Sequence, residues 1–190
     1  MSDTANGAAA PRVLISRLSA IGDVVLTMPL ACAIKDQYPD AFVSWLVGPA
    51  GAQWLHGHDC SVDLIVVPKR WLKSPRAVLD LRRRLHQLRL DVAIDPQSLT
   101  KSSVASWLSG ARQRIGFAAP QGRELALWLN RTRLPRDRDH LVDAQLHLLS
   151  CLGIDDPVVR FGLPRDAAAE QVVREYIQQV GLTEGYAVVN

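Results

Sequence analysis

The 190-residue chain lacks the features of a secreted, disulfide-bonded or membrane-spanning protein. Its three cysteines are too few and too scattered for a disulfide framework, and no pair has the C-x-x-C spacing of a zinc or redox motif. The first ten residues lack the basic start and apolar stretch of a signal peptide, and no run approaches the roughly 20 apolar residues of a membrane span. These absences predict a soluble protein of the reducing cytoplasm with a disordered tail over residues 1–10.

Three motifs for nucleotide or ester chemistry are also missing. The loop after the first predicted strand holds one glycine, Gly22, and no G-x-G-x-x-G, so a dinucleotide-binding dehydrogenase is not indicated. No G-x-x-x-x-G-K-[ST] loop and no G-x-S-x-G elbow occurs, which argues against a P-loop ATPase and an α/β-hydrolase. Hydrophobic residues nevertheless make up 48% of the chain, enough to bury the core of one domain.

Short apolar runs rich in β-branched residues alternate with helical patterns along the chain. The predicted strands are residues 13–16, 42–47, 63–67, 90–94 and 113–117, with a further strand beginning at 186. The first predicted helix follows a turn-rich stretch at residues 19–23 and reaches about residue 38. The other predicted helices are residues 74–89, 98 or 100 to 108, 122–129, 140–152 and 166–180. This alternation predicts an α/β fold: a Rossmann-like parallel sheet with helices on both faces and ligands at the carboxyl ends of the strands.

Positive charge is concentrated in one segment. The whole chain has a formal charge of +3, but residues 69–89 hold eight basic side chains against the single acid Asp80. In the helix predicted there, the arginines at 82–84 favour a solvated face, with weak attraction to anionic lipid as the alternative. A nucleic-acid binder is a weaker hypothesis, because interleaved aromatic residues and a recognisable reading motif are missing.

Two clusters of side chains have the composition of metal ligands. His56, His58, Asp59 and Cys60 lie close together in sequence, but no distant partner of suitable spacing completes a site, so a polar loop is favoured over a metal centre. A second group, residues 140, 143 and 147, has helical spacing and favours a solvated helix face. The sequence therefore predicts no metal site.

Asp23 is the candidate reactive group. It follows a glycine in the first turn of the first predicted helix, directly after the first strand, where an α/β protein binds its ligands. One interpretation is a helix-start acid that the helix dipole stabilises, and the other is a catalytic base. Position alone leaves both open.

Several segments resemble the lipopolysaccharide heptosyltransferases, which form glycosyltransferase family 9. Residues 12–15 (R-V-L-I) and 19–29 (S-A-I-G-D-V-V-L-T-M-P) are similar to the opening of that family. Residues 91–102 (D-V-A-I-D-P-Q-S-L-T-K-S) resemble its D-x-x-I-D-x-Q-x-L-x-K-S segment. The pair Arg123-Glu124 resembles its R-E pair, and His140 falls where the family has a histidine that opens a helix.

The resemblance implies the N-terminal half of a GT-B fold, in which two Rossmann-like domains face each other across a cleft. Residues 11–183 would form the acceptor-side domain, and residues 184–190 would begin a donor-binding domain that this chain does not contain. The family's D-x-[GS]-x-x-H donor motif does not occur here. The chain alone would then be inactive.

The resemblance also implies chemistry. Asp23 would be the general base of an inverting, metal-independent transfer of heptose from ADP-heptose, with no further cofactor. The acceptor would be the inner core of lipopolysaccharide, an anionic glycolipid met at the inner face of the cytoplasmic membrane. Its expected contacts are Lys69, Arg70, Lys73, Lys101, Arg123 and His140.

The residues are compatible with more than one substrate and with one alternative function. At Leu72 the family's first heptose transferase has another basic residue, so neither the sugar nor the acceptor position is fixed. The alternative function is a non-catalytic Rossmann-like module that binds an anionic glycolipid or a nucleotide through the basic segment.

Overall fold

A computed structural model describes residues 10–60, 62–163 and 166–182. Its strands are β1 (Arg12–Ser16), β2 (Phe42–Val47), β3 (Asp63–Val66), β4 (Val92–Asp95), β5 (Gln113–Phe117) and β6 (Thr132–Leu134). They form one parallel sheet in the order β3-β2-β1-β4-β5-β6. The first three strands thus lie on one side of the sheet, with β1 at the centre, and β4, β5 and β6 follow one another on the other side of β1.

Helices cover both faces of this sheet. They are α1 (Ile21–Gln37), α2 (Pro49–Leu55), α3 (Pro75–Gln87), α4 (Thr100–Leu108), α5 (Ala126–Leu129), α6 (Leu141–His147) and α7 (Ala167–Gln179), with 3-10 turns at Trp71–Lys73 and Leu148–Leu152. Val13 and Ile15 pack with α1, α2 and α6, whereas Leu14, between them, packs with α3 and α4. Alternate residues of a strand point to opposite faces, so β1 is buried on both sides, as its apolar sequence predicts.

The basic segment folds as its periodicity predicts. Ser74 caps α3 by accepting a hydrogen bond from the Ala77 N–H at 3.3 Å, and Leu81 and Leu85 are buried. Arginines 82–84 lie on the exposed face of the helix, where the sequence placed them.

The predicted cap of α4 is wrong. The helix is preceded by Leu99, and Thr100 is already its first residue. Ser98 has a left-handed φ of 49°, and its hydroxyl donates to the Asp95 carbonyl and accepts from the Phe117 N–H. Its side chain is therefore engaged on the strand side of the loop and cannot cap the helix.

Between β5 and α6 the structure differs from the sequence prediction. The helix predicted over 122–129 is confined to Ala126–Leu129, and β6 was not predicted. This strand has three residues at the edge of the sheet, beside β5, inside a stretch rich in Arg, Asp and Pro. The helix predicted over 140–152 changes from α to 3-10 geometry at Leu148 and ends at Gly153, whose φ is 73°.

The C-terminal part of the described chain is the helix α7. Asp166 caps it by accepting from the Ala168 and Ala169 N–H groups at 3.0 and 3.1 Å, and none of its residues is buried. The predicted tail falls almost entirely on residues 1–9, and both the last predicted strand and the predicted start of a donor domain fall on 184–190, so these predictions lie outside the described residues. Among the described helices, none is long and apolar enough to cross a bilayer.

Candidate functional site

The order of the strands defines a crevice at the centre of the sheet. The strands β1 and β4 are neighbours, but the chain continues from β1 to β2 on one side of the pair and from β4 to β5 on the other. Ligands of such sheets bind at the carboxyl ends of the two strands where the connections diverge. The loops that follow them are tied together: Arg17 Nη1 donates to the Pro96 carbonyl at 3.2 Å, and the Leu18 N–H donates to Gln97 Oε1 at 3.0 Å. Both loops thus form one wall.

Asp23 lies at this crevice in the first turn of α1. Its Oδ2 accepts the Ala20 N–H at 3.3 Å and forms an ion pair with the guanidinium group of Arg17. The Asp23 side chain is 41% exposed. Asp23 therefore contacts the start of the helix, in agreement with its interpretation as a helix-start acid. Part of its carboxylate nevertheless stays open to solvent, where the second interpretation, a catalytic base, needs it.

Arg17 is a site residue that the sequence reasoning missed. Its side chain is only 7% exposed, and this burial lowers the pKa of the guanidinium group, while the charge of Asp23 acts in the opposite direction. The backbone carbonyl of Arg17 accepts a hydrogen bond from the Trp45 indole N–H at 3.3 Å, which holds the backbone of Arg17 in place. The available signal was a basic residue directly after a buried strand, at the edge where ligands bind.

A cavity of about 410 Å³ opens in front of Asp23. Arg17, Arg123 and Arg136 all line it, and Asp23 is the acidic residue among the lining side chains. The remainder of the wall comes from loops after β4 and β5 and from the start of α6. Arg17 is already paired with Asp23, whereas the exposed Arg123 and Arg136 add positive charge that favours an anionic ligand in this cavity.

A second cavity, of about 600 Å³, lies on the other side of the loop that follows β1. Leu18, Ile21 and the buried Trp71 contribute apolar surface, and Lys69 and Lys101 add two ammonium groups. Lys101 Nζ donates to the Lys69 carbonyl at 3.4 Å, so these two predicted contacts do come together. This cavity combines an apolar wall with positive charge.

The other predicted acceptor contacts are more dispersed. Arg123 lines the cavity of Asp23, and its backbone N–H donates to the Ser98 carbonyl at 3.1 Å. Arg70 and Lys73 are exposed on either side of Trp71. His140 caps α6, with its Nδ1 accepting the Val142 N–H at 3.3 Å, next to the wall of the Asp23 cavity.

The segment 91–102 is mainly architectural. Asp95 is fully buried and accepts hydrogen bonds from the Ser98 N–H at 2.8 Å and the Asn130 amide at 3.1 Å. Burial raises the pKa of Asp95 to about 6, although these hydrogen bonds and the charge of Arg17 oppose the rise. Within the segment, Pro96, Gln97 and Lys101 reach the two cavities, and the rest shapes the loop.

The chain is similar to known proteins in both sequence and structure. Residues 78–188 match the family model described as glycosyltransferase family 9 (heptosyltransferase). The chain is 29% identical over 148 residues to the lipopolysaccharide core heptosyltransferase OpsX of Haemophilus influenzae, covering 76% of this chain and 42% of that protein. It is 28% identical over 159 residues to lipopolysaccharide heptosyltransferase 1 of Salmonella typhimurium, covering 77% of this chain and 49% of the relative.

The structural comparison agrees. The E. coli heptosyltransferase WaaC, solved with ADP-2-deoxy-2-fluoro heptose, superposes with a TM-score of 0.65 at 26% identity, covering 79% of this chain and 51% of that one. The predicted α/β, Rossmann-like fold of a GT-B glycosyltransferase half is confirmed. The chain spans about half the length of the curated relatives it matches.

Proposed function

Because the chain belongs to glycosyltransferase family 9, the heptosyltransferases, we propose that it forms the acceptor side of an inverting enzyme of lipopolysaccharide core synthesis. The donor would be ADP-heptose, a class supported by the analogue named with the WaaC structure. The acceptor would be the inner core, supported by the names of the two curated relatives. The observation that carries the proposal is Asp23, half-exposed at the central crevice, paired with Arg17, and lining a cavity that Arg123 and Arg136 also line.

Asp23 would act as the general base. Its contacts with Ala20 and Arg17 both go to Oδ2, so we assign proton transfer to Oδ1. As the acceptor hydroxyl gives its proton to Oδ1, its oxygen attacks the anomeric carbon of the donor. The bond from that carbon to the phosphate oxygen breaks on the opposite face, ADP leaves with the electron pair, and the configuration inverts.

The acceptor would be held by charge on both sides of the loop that follows β1. Arg123 and His140 belong to the Asp23 side, whereas Lys69 and Lys101 belong to the second cavity, with Arg70 and Lys73 next to it. Guanidinium and ammonium groups bind the carboxylates of sugar acids and the phosphates of a glycolipid. The apolar wall around Trp71 would face the less polar part of the acceptor.

The reaction as proposed needs no metal ion and no further cofactor. Charge on the departing ADP would be stabilised by cationic side chains and a helix N-terminus of a donor-binding domain. Since the acceptor is a membrane glycolipid, the protein would work in the cytoplasm, in peripheral contact with the inner membrane surface. The exposed arginines 82–84 add a weak attraction to anionic lipid.

Transfer assays on a polypeptide that carries this chain followed by a donor-binding domain test the proposal. With ADP-heptose and lipid A bearing sugar acids, Asp23→Asn should lower kcat by about 100- to 10,000-fold, the usual contribution of a general base. The matched control is Asp36→Asn, at the other end of the same helix and also paired with an arginine, Arg160, at 2.7 Å. An Asp23→Asn enzyme with the wild-type kcat would remove Asp23 as the base.

A further inference from the structure

A second cluster of reactive side chains lies at the opposite edge of the sheet. Cys32 comes from the middle of α1, and His58, Asp59 and Cys60 come from the turn that precedes β3. One ligand atom of each lies within 4.8 Å of all the others. The two sulfur atoms are 2.8 Å apart, Cys60 Sγ is 3.0 Å from Asp59 Oδ1, and Cys32 Sγ is 4.0 Å from His58 Nε2.

The imidazole of His58 is oriented by the backbone. Its Nε2 is 2.9 Å from the Phe161 carbonyl, so the proton belongs on Nε2. The lone pair therefore lies on Nδ1, which accepts the Cys60 N–H at 3.2 Å. Each ring nitrogen therefore has a backbone partner, and His58 binds a metal only by exchanging one of these two contacts for the ion. Nε2, which lies 4.0 Å from Cys32 Sγ, is the nitrogen that the structure records next to the cluster.

The carboxylate of Asp59 is divided between two partners. Its Oδ2 pairs with Arg160 at 2.7 Å, while Oδ1 faces the thiol of Cys60. Gly162 lies against the cluster, where a Cβ would collide with Asp59 Oδ1 and come within 3.0 Å of Cys32 Sγ. Both cysteines are buried, whereas the Asp59 side chain is half-exposed, so the cluster opens to solvent through Asp59.

We propose that Cys32, His58, Asp59 and Cys60 form a structural zinc site. Thiolate, imidazole and carboxylate are the ligands that Zn²⁺ takes in four-coordinate protein sites. Zn–S bonds of about 2.3 Å place two sulfur ligands about 3.8 Å apart, so the two thiols must separate by about 1 Å. Binding releases both thiol protons, and zinc with two thiolates and one carboxylate carries one negative charge, which Arg160 balances.

This site does not belong to the proposed reaction. Cys32 follows Asp23 by nine residues on α1, which is about 14 Å along the helix axis, and the turn at 58–60 lies at the amino end of β3. The ion would join α1 to the turn before β3 and, through Phe161, to the segment after the second 3-10 turn. The sequence argument against a metal was the lack of a distant partner, and the fold supplies one in Cys32.

Metal binding is tested on the reduced, chelator-treated chain. Titration with Co²⁺ should produce the strong visible bands of a tetrahedral site and sulfur-to-cobalt charge transfer, saturating at one ion per chain. Zn²⁺ should abolish these bands by displacement and raise the Tm, since the folded state, which brings Cys32 to the other three ligands, binds it more tightly than the unfolded chain does.

Variants with matched controls identify the ligands. Asp59→Asn should weaken Zn²⁺ binding by about 100-fold or more, whereas Asp36→Asn, which removes the other carboxylate on Arg160, should leave it unchanged. Asp59 is half-exposed, so its variant should fold, and circular dichroism checks this. Cys60→Ser should likewise weaken Zn²⁺ binding, whereas Cys151→Ser should leave it unchanged because Cys151 lies outside the cluster.

Two results would overturn the proposal. One is a reduced, folded chain that neither retains Zn²⁺ nor shows cobalt–thiolate charge transfer, as expected if the two cysteines serve only in packing or as a disulfide pair. The other is equal affinity of the wild type and the Asp59→Asn and Cys60→Ser variants, which would assign the bound metal to other residues.

Discussion

The buried carboxyl group of Asp95 makes the stability of this fold depend on pH in an unusual direction. Asp95 is fully buried at the end of β4, and burial raises its pKa from 3.8 to about 6. The folded state therefore binds this proton more tightly than the unfolded chain does. At about 1.4 kcal/mol per pKa unit, its ionisation costs the folded state about 2 kcal/mol as the pH rises from about 4 to 7.

The substitution Asp95→Asn removes this titration and keeps the size of the side chain. The free energy of unfolding of the variant, relative to the wild type, should rise by about 2 kcal/mol between pH 4 and pH 7. Urea unfolding of both proteins across this range measures the difference. Other groups that titrate in both proteins cancel in the comparison.

Ile94→Val is the matched control. It alters the neighbouring residue of the same strand, does not titrate, and should lower stability by about 1 kcal/mol at every pH. If the difference in free energy of unfolding between wild type and Asp95→Asn is as independent of pH as the difference for Ile94→Val, the carboxyl group of Asp95 does not have a raised pKa.

Three further predictions concern the crevice and its support. Arg17→Met should lower kcat by about 100-fold through loss of the position of Asp23, with partial recovery in Arg17→Lys, and steady-state kinetics that found the wild-type kcat for Met would contradict it. Replacing the basic residues beside Trp71 with Gln should weaken binding of lipid A-type ligands about 10-fold at low salt but little at high salt; these residues are Lys69, Arg70 and Lys73. Gly116→Ala should cost about 1–3 kcal/mol in thermal or urea unfolding, because its Cβ would collide with the Asn130 amide, whereas Gly22→Ala, which meets nothing within 4 Å, should not.

Much of the fold was predictable because its central strands are buried on both faces. Strands such as β1 and β2 need continuous apolar, β-branched runs, and those runs are visible in the sequence. The edge strand β6 gives no such signal, since its three residues have an exposed arginine at their centre and rely on β5 for their backbone hydrogen bonds. The cap of α4 failed for a related reason: the role of Ser98 is set by Asp95 and Phe117, which belong to different strands.

The candidate site was predictable only where one residue carries the signal. Asp23 stands out in the sequence because it follows a glycine in the first turn of a helix, directly after the first strand. Arg136 lines the same cavity through contacts between loops that are far apart in sequence, and no local pattern marks it, whereas the position of Arg17 directly after a buried strand was a signal that could have been used. Cys32 is separated from His58 by 26 residues, so only the packing of α1 on the turn before β3 reveals the cluster.

Under the proposed function, Asp23 serves both at the start of a helix and as a base, and the position of Arg17 accounts for this double use. The guanidinium group is buried, donates to the Pro96 carbonyl and pairs with Oδ2 of Asp23, on which the Ala20 N–H also converges. Both of these contacts go to one oxygen, Oδ2, and the Asp23 side chain also lines the cavity in which the proposal places the acceptor hydroxyl. Because the loop after β4 holds the same arginine, a change at Pro96 or Asp95 should reach Asp23 through Arg17, without any direct contact between the two acids.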